Sequence, residues 1–483
     1  MPDPVILDER QTSPSEPIPE GEPSALHDEL TLAERYVEPV ANAIEARDVA
    51  RIRALFDELH PADLADVIAL LEEEYRLSLI ELLGGVLPTD VLPELDPNLT
   101  EEVVTAMRPE AVAEAVAELD TDDAAFILEE LDEEKRAEIL AKAPMDDRVA
   151  IAQAFDYEEE SAGRLMQRDV FASPAFWTVG QIIDRLRGKE DLPDVFYEVF
   201  VVDPANKPIG AVPLATLLKT QRDVRIDTIM NEDITTIPVT MDQEDVAYKF
   251  EQYNLISAPV VDEAGRLIGM ITVDDVVEIV HAESHEDMLA LGGVESDAGI
   301  TDSVVETVRS RFSWLAVNLG TAILASLVIS IFGAAIEQVV ALAVLMPIVA
   351  SMGGNAGTQT LTVAVRSLAT RDLTAANAAR IIWRETIVGG LNGILFALIM
   401  GALAGVWHAA MGASESESLR LALVIGAAMI INLMAAGLAG ILVPLGLQRA
   451  GADPAVSSAV FVTTVTDVVG FFVFLGLAAL VLL

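Results

Sequence analysis

Not one of the 483 residues is a cysteine, which excludes disulfides, thiolate metal centres and cysteine nucleophiles. Aromatic residues are scarce at 5%, only five histidines occur, and 30 basic residues face 77 acidic ones, for a net charge of −47. The shortage of positive charge makes nucleic acid and anionic lipid surfaces poor partners for the charged part of the chain. Lysine is missing altogether beyond Val305. Eight of the basic and eight of the acidic residues lie beyond that point, so this part is neutral; residues 1–304, with 22 basic and 69 acidic residues, carry the whole surplus. Like charge at such density opposes a compact state. Either the acids merely solubilise, or polyvalent cations relieve the repulsion and folding of this half is linked to metal concentration. The N-terminus, rich in proline and acids, lacks a basic stretch leading into an apolar core, so it is not a signal peptide. Residues 1–30 read as a disordered acidic tail.

The neutral half holds five apolar segments long enough to span a bilayer, roughly Phe312–Phe332, Val339–Leu361, Ile381–Met411, Leu419–Leu447 and Ala455–Leu483. Arg309 and Arg311 precede the first, Arg366, Arg371, Arg380 and Arg384 flank the connection between second and third, and Arg449 lies between fourth and fifth. The opposite connections hold Glu337, Glu415, Glu417 and Arg420. Basic residues mark the cytoplasmic side, which places the acidic half in the cytoplasm and Leu483 outside.

Asp467 is the single charged residue between Ala455 and Leu483. An ionised carboxylate at the centre of a membrane costs about 3 kcal/mol, and such a residue normally faces a bundle interior or a water-filled path. The alternatives are a protonated Asp bonded to a neighbouring helix and a cation site. Thr463, Thr464 and Thr466 lie within one turn, and oxygen-rich, thiol-free surroundings suit a hard cation. The second segment carries Pro347 and then Met352-Gly-Gly-Asn-Ala-Gly-Thr-Gln359. Backbone interrupted or made polar at that depth must be buried in protein or line water; Gly353 and Gly357 also fit a small-xxx-small packing seam. Asn432 and Asn392 read as interhelical hydrogen-bonding residues rather than ligands.

Upstream, residues 32–157 show apolar residues at three- and four-residue spacing, punctuated by prolines. His60-Pro-Ala-Asp-Leu-Ala65 is echoed 48 residues later by Arg108-Pro-Glu-Ala-Val-Ala113, which suggests short paired helices stacked as a superhelix. A clearer repeat has an offset of 59: Val201-Val-Asp203 through Gly210 matches Val260-Val-Asp262 through Gly269. Leu165-Met166 and Ile229-Met230 open its two copies. Each copy reads as helix, strand, turn, strand, helix, and the tandem resembles a pair of CBS domains. In CBS domains that bind adenine nucleotides, a Thr-x-x-Asp such as Thr272 to Asp275 contacts the ribose; the alternative is a helix cap. A connecting stretch follows, with His281-Ala-Glu-Ser-His-Glu-Asp287, whose two histidines read as a solvated face.

Taken together, the acidic helical N-domain, Ser161-Ala-Gly-Arg-Leu-Met166 ahead of the CBS pair, the acidic connecting stretch, Pro347 to Gln359, Arg366-Ser-Leu-Ala-Thr-Arg-Asp372, Gly451-Ala-Asp-Pro-Ala455 and Thr463-Thr-Val-Thr-Asp467 resemble the MgtE magnesium transporters over nearly the whole chain. The resemblance implies a multi-domain fold: a superhelical α-helical N-domain (31–160), an α/β CBS pair (161–224 and 225–284), a connecting or plug helix (285–311) and an all-α membrane domain of five helices (312–483). It implies a homodimeric Mg²⁺ channel of the cytoplasmic membrane, closed by cytoplasmic Mg²⁺. Asp467 would be the selectivity carboxylate, Thr463 a further oxygen donor and Asn355 a pore-lining residue, with Thr358 where the motif often has a second Asn. Regulatory Mg²⁺ would fall at Asp90, Asp122, Gly163, Asp275, Glu283, Glu286 and Asp287. Phe126 and Asn254 stand where acids would be expected. ATP at Thr272 and Asp275, Co²⁺ or Mn²⁺ as cargo, and a membrane-anchored CBS nucleotide sensor stay open as alternatives. No nucleophile–base pair, P-loop or zinc-helix motif supports an enzyme.

Overall fold

The computed structural model describes residues 32–188, 195–294, 304–412 and 414–483, so the expected tail over 1–30 lies outside the described residues. The chain divides into two compact units, Met1–Val149 and Ala150–Leu483.

The first unit is helical: α1 (Leu32–Glu45), α2 (Val49–Phe56), α3 (Pro61–Leu70), α4 (Glu73–Leu82), α5 (Pro97–Ala106), α6 (Pro109–Glu118), α7 (Thr121–Glu129), α8 (Glu133–Lys142) and α9 (Met145–Ala154), within which the division falls. The 48-residue echo is structural. Helices α3 and α6 both open on a proline in the first turn, where its missing N–H has no intrahelical partner to lose. Helices α2, α5 and α9 also begin at 48-residue intervals. Val67, Ile68, Val112, Val116, Ile127 and Leu128 are almost wholly buried and form the apolar seam. Many of the acids do local work: Glu73, Glu74, Asp122, Asp123, Glu133 and Glu134 occupy first turns, where they complement the helix dipole.

The second unit begins with α10 (Ala162–Leu165), then β1 (Ala172–Pro174), α11 (Val179–Gly188), β2 (Glu198–Val202), β3 (Pro208–Pro213) and α12 (Leu214–Lys219). The second repeat supplies β4 (Ile237–Pro238), α13 (Gln243–Tyr253), β5 (Ser257–Val261) and β6 (Leu267–Thr272). Each repeat forms a three-stranded sheet with a parallel and an antiparallel pair, in the orders β1-β2-β3 and β4-β5-β6. Strands β1 and β4 are additions to the sequence pattern; two or three residues ending in Pro carry too little alternation to be read. The aspartate closing each Val-Val-Asp caps its hairpin turn. Asp203 Oδ1 accepts from the amides of Ala205 and Lys207 at 2.8 and 2.9 Å, and Asp262 Oδ1 from those of Ala264 and Arg266 at 2.9 and 2.8 Å. The openings of the repeats are exchanged. Met166 packs into the core of the second sheet and Met230 against that of the first. Gly269 and Gly210 leave the room they need: an added Cβ would lie 2.8 Å from the facing Met sulfur at each position. Ser257 Oγ donates to Glu198 Oε1 at 3.0 Å, joining positions 59 apart across the pair.

The rest is helical: α14 (Val273–Gly292), α15 (Val304–Ile331), α16 (Gly333–Gln338), α17 (Ala341–Ala369), α18 (Ala378–Ala410), α19 (Glu415–Arg449) and α20 (Pro454–Val481). No break falls at 284/285. One helix, α14, runs from the last strand of the second repeat to Gly293, whose left-handed backbone (φ 71°) ends it. Among the described residues five helices are long and apolar enough to cross a membrane: Thr307–Ile331, Ala341–Ala369, Ala378–Ala410, Glu415–Arg449 and Ala459–Val481. Helix α19 is the hub, packed on α17, α18 and α20. Helix backbones touch because glycines meet carbonyls: an added Cβ at Gly389 would lie 2.5 Å from Leu433 O, and at Gly437 2.9 Å from Glu385 O. The polar stretch 352–359 is unbroken α-helix rather than interrupted backbone, and Gly353 and Gly357 use the packing seam. At Gly353 the neighbour is Asn432, wholly buried, whose Nδ2 donates to Val349 O at 2.8 Å.

Candidate functional site: a carboxylate in the last span and an acidic seam behind it

Helix α20 places Thr463 and Asp467 one turn apart, both half-buried. The three threonine hydroxyl protons are used on the helix itself: Thr463 donates to Ala459 O at 2.9 Å, Thr464 to Val460 O at 2.6 Å and Thr466 to Thr463 O at 2.9 Å. Their oxygen lone pairs are left to accept from, or coordinate, something else. Gly357 sets the height of α17 against α20, since an added Cβ there would lie 2.6 Å from Val462. At Gly354 the same construction reaches Thr466 Oγ1 at 3.9 Å. Asn355 and Asp467 are therefore each one residue from the same crossing. Asn355 is exposed on the single chain, as is Thr358, whose hydroxyl donates to Gly354 O at 3.0 Å. Among the described residues no three His, Asp or Glu side chains converge to hold a metal ion.

Beyond Asp467 the span helices hold an ionisable group that the sequence reading passed over. Glu385 on α18 has a side chain only 15% exposed, with Arg384 at 3.7 Å and the Thr360 hydroxyl at 3.5 Å. With Gln359 and Asn392 it lines a cavity of about 260 Å³ between α17, α18 and α19. Unlike Asp467, Glu385 is not isolated: Arg380 and Arg384 stand just before it in the first turns of α18.

A second concentration of carboxylates lies along α14. Gln243 Nε2 donates to Glu283 Oε1 at 2.5 Å. Burial pushes the Glu283 carboxyl up to about 7; the Gln243 bond works against this, and the charges of Glu244 and Glu160 add to it. Burial and Asp242 raise Glu244, and burial, Asp453 and Glu286 raise Asp287. Asp453 caps the start of α20, accepting from the Ala455 amide at 2.8 Å, so this seam reaches the last span. At the end of α14, Ala290 is buried against Leu361 and Val365 of α17, Ala439 of α19, and Ala455 and Val462 of α20. His281 and His285 are exposed, as a solvated face requires.

The remaining residues singled out in the sequence fall as follows. Thr272 and Asp275 form the capping box that opens α14, with Thr272 N and Oγ1 both donating to Asp275 Oδ2, at 3.1 and 2.8 Å. Gly163 lies under the Tyr157 ring, 2.5 Å from where a Cβ would stand, and its amide donates to Val239 O at 2.9 Å. Asp90 is exposed in a single 3-10 turn (Thr89–Val91), and Asp122 is in the first turn of α7; both belong to the first unit. Phe126 is partly exposed on α7. Asn254 ends α13 in the left-handed conformation (φ 52°), a role for which Asn is well suited.

Comparison with known proteins agrees with this layout. Residues 346–477 match a family model described as MgtE, divalent cation transporter. Residues 59–160 match the MgtE intracellular N domain and 225–282 a CBS domain. The magnesium transporter MgtE of Thermus thermophilus is 31% identical over 461 residues, 93% of this chain and 99% of that protein. The corresponding protein of Enterococcus faecalis is 32% identical over 330 residues, 68% of this chain and 71% of that one. That of Bacillus subtilis is 27% identical over 428 residues, 88% and 93% of the two chains. Helical N-domain, paired CBS-type modules and five apolar helices together define a multi-pass membrane transport protein, not an enzyme. The chain belongs to the MgtE family of magnesium transporters.

Proposed function

We propose that the protein is a homodimeric Mg²⁺-selective channel that takes up magnesium across the cytoplasmic membrane and is closed by Mg²⁺ on the cytoplasmic side. One observation carries the pore assignment: Asp467, in the middle of a span, is left half-open on the surface of a single chain. Facing lipid, it would cost about 3 kcal/mol. A second copy covering this face removes that cost and sets two Asp467 carboxylates across a two-fold axis. Empty, they repel; a divalent ion satisfies both. Mg²⁺ sheds water reluctantly, so the ion is held hydrated through the oxygens of Asp467, Thr463 and Asn355. The arginines at one set of helix ends support an orientation with the acidic half inside and Leu483 outside. The test is Mg²⁺ flux into liposomes carrying wild type or Asp467→Ala. The substitution is expected to abolish flux or its selectivity; selective flux at the wild-type level sinks the pore assignment.

Closure is assigned to Mg²⁺ at Asp90, Asp122, Gly163, Asp275, Glu283, Glu286 and Asp287. Its support is the seam on α14, where crowded carboxyls are held above their usual range and a divalent cation would relieve the crowding. Co²⁺ and Mn²⁺ compete for the same oxygen-only set, and competition in the same flux assay ranks them. ATP at Thr272 and Asp275 is the weaker reading, because the capping box uses these side chains on each other; calorimetric titration with ATP decides it. The anchored nucleotide sensor leaves Asp467 without a purpose.

A further inference from the structure

In the connection between α17 and α18, the Arg371 side chain reaches the second repeat. Arg371 follows α17 by two residues and adopts a left-handed backbone, φ 58°. That conformation suits glycine or asparagine and commonly ends a helix, so the backbone places Arg371 as the residue that closes α17. Its guanidinium forms an ion pair with Asp245 and lies over the Tyr248 ring, 4.1 Å from the centroid. Asp245 and Tyr248 are three residues apart on α13 and share a face. An ion pair with both side chains nearly half exposed contributes little alone; the ring contact adds to it and fixes direction.

The connection is stiff enough to transmit a pull. Leu373 is buried with Leu368, Ala378, Ile441 and Leu445, and its amide donates to Ser367 O at 2.7 Å. Asn377 closes the turn, donating to Asp372 O at 2.7 Å and accepting from the Thr374 amide at 2.9 Å. A displacement of Arg371 is therefore a displacement of α17, the helix that carries Asn355.

We propose that Arg371 with Asp245 and Tyr248 is a latch that ties the loop after the second span to the second CBS domain and biases the channel toward its closed state. The latch rests on the reading that Mg²⁺ closes the channel. Its test is flux into liposomes as a function of Mg²⁺ on the CBS-domain side for wild type, Arg371→Glu, Asp245→Arg and the double exchange. Each single reversal is expected to raise the Mg²⁺ needed for half-closure about fivefold or more. The double exchange is expected to return it to within about twofold of wild type. Arg371→Gly, which suits the backbone, is expected to fold as well as wild type and to close as poorly as Arg371→Glu. Single reversals that close like wild type, or a double exchange no better than the singles, overturn the latch. A wild type that Mg²⁺ does not close overturns the gating reading instead.

Discussion

Glu283 stands on α14 among Gln243, Glu244 and Glu160, and burial is the first reason its carboxyl is raised to about 7. Glu244 and Asp287, raised from their ordinary values, act in the same direction. A carboxyl whose value is higher in the packed arrangement than when solvated favours that arrangement while protonated. The contribution is complete below about 4.5 and is lost as pH rises through about 7. In chelator, the protection of α14 amides relative to their intrinsic, base-catalysed exchange is expected to be greater at pH 6 than at pH 8, and Glu283→Gln to flatten the difference. A protection factor independent of pH in wild type would remove this account. At this scale the sequence was uneven. Asp467 announced itself through isolation in an apolar run; Glu385, with Arg380 and Arg384 just before it, lacked that isolation and read as part of the charged end of its helix. The Asp245–Arg371–Tyr248 contact had no signal, because residues 123 or more apart are brought together only by packing.

At the scale of helices, α17 shows why polar residues occur where a lipid-facing helix would have none. Its small residues are contact surfaces. An added Cβ at Gly353 would lie 2.2 Å from Asn432 Nδ2, and at Gly470 on α20 2.8 Å from the same atom, so one buried Asn fixes α17, α19 and α20. Gly353→Ala is expected to break the Asn432–Val349 bond and lower thermal stability in detergent by about 1–2 kcal/mol. Added to Asn432→Ala, it is expected to cost little more, since the clashing atom is gone; additive losses would refute this packing account. The sequence suggested both the Gly353–Gly357 seam and the role of Asn432, through residue type and spacing. It left open whether the stretch was broken backbone. The structure decides for intact helix: Gly353 and Gly357 are met closely by Asn432 and Val462, while Gly354 has only the Thr466 hydroxyl at ordinary contact distance.

For the whole molecule, one helix joins the second CBS-type sheet to the ends of α17, α19 and α20, and a carboxylate seam runs beside it. If Mg²⁺ draws these parts together, removing it with chelator should expose α14 to protease within the same protein in which added Mg²⁺ protects it. Equal cleavage under both conditions would separate the acidic half from gating. Composition, span count, the two repeats and the isolated Asp467 were determined by sequence alone, because hydropathy, charge and periodicity are local properties that survive without a fold. Which acids crowd together, how the repeats exchange their opening segments, why Asp467 remains half-open on one chain and where Arg371 reaches were decided only by tertiary structure. Each of these depends on distances between residues far apart in the chain, and those distances are set by packing around α19 and the paired sheets.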